Sequence, residues 1–67
     1  MLKEMERKIM VELRRMYDFW WQYAEKYGVD NEDAQDRGSR LLGALRMARV
    51  ISGMDITLDD IREFKED

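Results

Sequence analysis

Residues 2–28 read LKEMERKIMVELRRMYDFWWQYAEKYG, and the spacing of the large apolar side chains within them decides the fold. Leu2, Met5, Ile9, Leu13, Met16, Trp20, Tyr23 and Tyr27 recur at steps of three and four. At about 100° per residue they fall in one stripe along a helix. Lys3, Glu4, Arg7, Lys8, Arg14, Arg15, Asp18, Gln22, Glu25 and Lys26 occupy the other side, which is the pattern of a solvated face. Gly28 follows where a C-terminal stop belongs. The spacing predicts one long amphipathic helix over about 2–27.

Beside this stripe runs a second apolar row of Met10, Tyr17, Trp21 and Ala24, displaced by roughly a quarter turn, and Phe19 widens the opposite edge. A helix that is apolar on two adjacent rows calls for two neighbours. One is the next helix of the chain; the other is a third helix, a second subunit or a foreign protein. Aromatics with an adjoining Met are enriched at protein interfaces, so Met10, Tyr17, Trp21 and Ala24 are assigned to a homodimer or partner contact. Symmetric pairing through that row would build a helical bundle.

Downstream, Asp30 or Asn31 can cap a second helix, predicted over about 31–52 with Gly53 as its stop. Ala34, Gly38, Leu41, Leu42, Leu45, Ala48 and Ser52 share one face, flanked by Ala44 and Ile51. Small residues at its start would sit opposite the aromatic end of the first helix in an antiparallel hairpin, and small against large is what close packing requires. Thr57 and Asp60 form a capping box, with Ile56 and Ile61 as its hydrophobic staple. A short third helix over about 58–65 follows, expected to fold back near Leu2 to Ile9. The expected fold is all-α: a helical hairpin with a short C-terminal helix, one domain over 1–67.

Composition narrows the chemistry. The 67 residues include 12 basic and 15 acidic side chains, no His, no Cys and no Pro. Without Cys there is no disulfide framework or thiolate site, and without His no imidazole base or His ligand. The acids at 30, 32, 33 and 36 do not match a calcium loop: starting at Asp30 puts Ala34 at the fifth position, and starting at Asp33 puts Arg37 there and Ala44 at the twelfth. Gly28, Gly38, Gly43 and Gly53 form no phosphate-binding loop. No apolar run is longer than the five residues Leu41 to Leu45, so neither a membrane span nor a signal peptide is expected. These readings predict no enzyme, metal, cofactor or small-molecule substrate, and a cytoplasmic setting.

Charge is unevenly placed. Arg37, Arg40, Arg46 and Arg49 stand in a stretch without acids, while 28–36 carries four acids and 55–67 carries six acids against two bases. Phosphate contact along the second helix is one reading of the arginines. The net charge of −3 and their scatter around the helix argue instead for solvation and pairing with the acidic segments. A chain this short buries only about 60% of its unfolded surface, which favours a partner subunit. The leading expectation is a small protein-binding module, an adaptor or an inhibitor of the kind phages and mobile elements encode, acting by stoichiometric occupancy. The alternatives are a nucleic-acid-binding regulator using the four arginines, or an acidic mimic of nucleic acid.

Overall fold

A computed structural model describes residues 3–65; Leu2, placed on the apolar stripe above, lies outside them. Three helices account for 81% of the described residues, with no strand among them. They are α1 (Glu4–Tyr27), α2 (Glu32–Ser52) and α3 (Leu58–Glu63).

Each boundary has a local cause. Lys3 donates its backbone N–H to Glu6 Oε1 at 3.0 Å at the start of α1. Gly28 ends it with a positive φ of 93°, donating its N–H to the Ala24 carbonyl at 2.8 Å. Asn31, not Asp30, caps α2: its Oδ1 accepts from the backbone of Asp33 at 2.9 Å and of Ala34 at 3.3 Å. Gly53 closes that helix in the left-handed conformation. The capping box of α3 is reciprocal. Thr57 donates its N–H to Asp60 Oδ2 at 2.9 Å, and the Asp60 N–H donates to Thr57 Oγ1 at 3.2 Å. The third helix is shorter than expected because Phe64 turns extended, ending α3 at Glu63.

The two long helices pack against each other. The core gathers Met10 and Leu13 of α1, Leu41, Leu45 and Ala48 of α2, and Ile56 and Ile61 from the C-terminal segment. Ala24 and Ala34 are buried where the helices approach the loop. At Gly38 a Cβ would lie 3.0 Å from Trp20 Nε1, so the small-against-large fit of the hairpin is realised by this pair.

Two expectations about placement are corrected. The inward side of α1 is turned from the main stripe toward the second row: Met5 is 70% exposed and Tyr27 half-exposed, whereas Met10 is only 5% exposed. The cause is α3, which packs on α1 beside α2 and draws Met10 and Tyr17 inward. For α3, expected near Leu2 to Ile9, the contacts among the described residues run from Met10, which lines a pocket with Asp60, to Arg14. Arg14 donates to the carbonyls of Ile61 and Arg62, satisfying the end of α3 over the middle of α1. The connector is held on the way by Arg49 Nε, which donates to the Ile56 carbonyl at 2.6 Å.

Candidate protein-interaction surface

The four residues assigned to an interface from the second row do not form a free surface. Met10 and Ala24 are covered by the chain's own core, and Tyr17 is half-buried. Trp21 alone remains open, 45% exposed. The second neighbour that the row called for is α3.

What stays uncovered lies elsewhere, in two places. The first is a cleft of about 640 Å³ between α2 and α3, lined by Tyr17, Trp20, Leu41, Leu42, Leu58 and Arg62. It exists because α3 is six residues long and packs on α1 without its backbone approaching α2. Tyr17 and Trp20 are stacked at a tilt with ring centroids 5.8 Å apart, and Trp20 lies 5.7 Å from Trp21.

The second is the face of the hairpin turned away from α3. At its loop end, Met16 and Phe19 of α1 and Arg37 and Arg40 of α2 line a pocket of about 260 Å³, with Arg15 at its rim. The Arg37 guanidinium carbon sits 4.8 Å from the Phe19 ring centroid and 4.6 Å from that of Tyr23. Such cation–π contacts are worth about 0.5–1 kcal/mol at exposed sites. Tyr23 in turn donates its hydroxyl to Asp33 Oδ2 at 3.2 Å. Desolvation, then the Asp33 charge and this hydrogen bond, push the Tyr23 hydroxyl above its ordinary pKa of 10.0, with Arg37 pulling the other way.

Along α2 this face continues at helical steps from Arg40 through Ala44 to Met47 and Ile51. Ile51 is 74% exposed and its neighbour Val50 81%. Met47 and Val50 play no part in the stripe readings above, although a signal was present: α2 carries more large apolar positions than one buried face can use.

The four arginines of α2 do not converge. Arg37 and Arg40 border the Phe19 pocket, and Arg40 pairs with Asp36 at 3.0 Å. Arg49 is committed to the Ile56 carbonyl, and Arg46 is exposed away from both. Among the described residues no cluster of three or more acidic side chains is arranged to hold a metal ion, and no helix is long and apolar enough to cross a membrane. No family model matches the sequence, and no curated protein and no solved structure is significantly similar to it.

Proposed function

We propose that this chain is a small non-enzymatic protein-binding module that acts by stoichiometric occupancy of a partner, an adaptor or inhibitor. One observation carries the reading. Among the described residues ten large hydrophobic side chains are exposed, against six buried in the core, namely Met10, Leu13, Leu41, Leu45, Ile56 and Ile61. Scattered exposed apolar residues are ordinary, but a contiguous apolar area on a small domain marks an interaction surface. Here Phe19 borders the pocket of Arg37 and Arg40, and helical spacing carries the same side of α2 on through exposed Met47 and Ile51, with Met5 and Val50 also exposed.

The same face suits a homodimer, in which two hairpins would bury it against each other as a four-helix bundle. The nucleic-acid reading gains no support, because only Arg37 and Arg40 of its four arginines line one surface and Arg49 has a structural role.

Sedimentation velocity at tens of micromolar, with Phe19→Glu and Ile51→Glu as variants, tests the proposal. The wild type is expected to sediment as a dimer, or to form a complex of fixed stoichiometry with a protein captured from its native cell. Either charged variant should abolish the association while keeping the helical circular dichroism of the wild type. An association unaffected by both variants, or a chain monomeric with no captured protein, would overturn it.

A further inference from the structure

We propose that Arg37 is the centre of a carboxylate-binding site, and that the protein covering the hairpin face docks there with an acidic side chain next to an apolar one. This rests on the protein-binding reading above and names the chemistry of that partner.

The geometry around Arg37 is that of a positioned guanidinium. Two aromatic rings, Phe19 and Tyr23, hold it within 5 Å of their centroids, and the residue is half-buried. Stacking uses the faces of a guanidinium and leaves its N–H edge to accept a planar, bidentate carboxylate. Among the described residues no carboxylate pairs with it. By contrast Arg14, Arg15, Arg40 and Arg62 each have an acidic partner three or four residues away on their own helix.

The surroundings add selectivity. Arg15 and Arg40 border the same pocket, and their own pairs, with Glu12 and Asp36, are solvent-exposed on both sides. Exposed pairs of this kind are weak, so the Arg40 guanidinium can also donate to an incoming oxygen. Met16 and Phe19 supply an apolar wall, so the occupant carries a hydrophobic group beside its negative charge. A volume of about 260 Å³ is that of one or two side chains. Glu12, Asp36 and Asp33 stand around the site, and the chain is acidic overall. These carboxylates oppose a dianionic phosphate or a polyanion more strongly than a single carboxylate, which favours an acidic peptide segment over nucleic acid.

The test is isothermal titration of the full chain with an acetylated, amidated peptide that carries one glutamate beside a leucine in an otherwise uncharged sequence. Its leucine–glutamine counterpart, inorganic phosphate and a short single-stranded DNA are titrated in parallel. The glutamate peptide should bind the wild type, and Arg37→Gln should weaken it about tenfold or more. Arg37→Lys keeps the charge but loses the planar fork, so it should recover only part of the affinity. Thermal melts of both variants establish that they are folded. The glutamine peptide should bind about tenfold more weakly than the glutamate peptide. Equal binding of the two peptides, lost only in Ile51→Glu, would overturn the carboxylate site and leave the apolar docking face standing. Absence of any peptide binding, or Arg37-dependent binding of phosphate or DNA in place of the peptide, would overturn the site. In the sedimentation experiment above, a wild-type chain that stays monomeric and captures no protein, or an association that survives both charged variants, would separately overturn the protein-binding reading.

Discussion

Gly38 and Gly43 stand in one helix, and the same substitution to alanine should stabilise the chain at Gly43 but not at Gly38. At Gly43 an added methyl group would meet nothing within 4 Å. The expected effect is the helix-propensity gain alone, about 1 kcal/mol. At Gly38 the methyl would lie 3.0 Å from Trp20 Nε1 and 3.3 Å from Cδ1. Tyr17 and Trp21 flank the indole at 5.8 and 5.7 Å between ring centroids, which leaves it to retreat only toward the cleft it lines, away from the aromatic contacts it now makes. Overpacking of this kind costs roughly 1–3 kcal/mol. Set against the same propensity gain, Gly38→Ala is therefore neutral to destabilising by about 2 kcal/mol. In a domain of this size 1 kcal/mol moves the melting temperature by roughly 4–8 °C, so the two variants should melt at least about 4 °C apart, with Gly43→Ala higher than the wild type. Thermal unfolding followed by far-UV circular dichroism reads this directly. Trp20→Leu provides the control: in that background Gly38→Ala should regain the propensity gain. Equal stabilisation at both glycines, or no recovery in the double variant, would refute the assignment of Trp20 and Gly38 as a close-packed pair.

Four further outcomes follow from the same geometry. Ile61 is fully buried, so Ile61→Ala should cost about 2–5 kcal/mol and remove much of the stability of so small a domain; a melting curve lowered by less than about 4 °C would show that α3 is not integral to the core. Asn31→Ala leaves two backbone N–H groups of α2 without their acceptor and should cost about 1 kcal/mol, while Asn31→Asp should be close to neutral by the same melt. Trp20→Ala should destabilise the chain more than Trp21→Ala, since Trp20 packs on Gly38 and Trp21 is 45% exposed; urea titrations giving the reverse order would contradict the packing of Trp20 against Gly38. The raised pKa of Tyr23 means that the folded chain keeps this phenol neutral where the unfolded chain has begun to ionise. Its contribution to stability is complete below the ordinary tyrosine pKa and is lost as pH rises through the folded value. Spectroscopic phenolate titration of the wild type against Tyr23→Phe should place the missing step above the ordinary tyrosine value, and a missing step at or below it would refute the role of Asp33.

Most element boundaries could be read in the sequence because their causes are local. A glycine that must take positive φ at positions 28 and 53, an Asn at 31 and the Thr57–Asp60 box each act within four residues of themselves. The pairing of Trp20 with Gly38 was also accessible, since an antiparallel hairpin with a loop near 28–31 fixes which residues face each other. The rotation of α1 was not. Its two apolar rows are about equally hydrophobic, and choosing between them requires knowing where α3 lands. That landing depends on Arg14 reaching the carbonyls of Ile61 and Arg62, a contact across 47 and 48 residues that no periodicity encodes. Met10, assigned to an external partner, was taken inward for this reason, while Ala24 is covered where the two long helices approach the loop and Trp21 was left at the edge.

A helix with two apolar sides needs two neighbours, and the chain answers this requirement differently for its two long helices. In α1 the middle of both rows is served within the chain: Leu13 of the main stripe and Met10 of the second enter the core, with Ile9, Met16 and Tyr17 packed against it. In α2 one side, Leu41, Leu45 and Ala48, is served by the core. Its other large apolar residues, Met47, Val50 and Ile51, meet no further helix, because α3 packs on α1 and the described chain has no fourth element to offer. Helix propensity does not explain them, since Val and Ile are weaker helix formers than the Lys, Glu or Gln that an exposed position would otherwise carry. Nor do their solvent contacts favour them, since each apolar side chain left in water forgoes the gain of burying it, about 25 cal/mol per Å². Both comparisons weigh against these residues in an isolated monomer and for them beneath a partner. The unmet side of α2 thus has a defined position, running from beside Arg37 toward Ile51, and it is the surface that the proposed partner would cover.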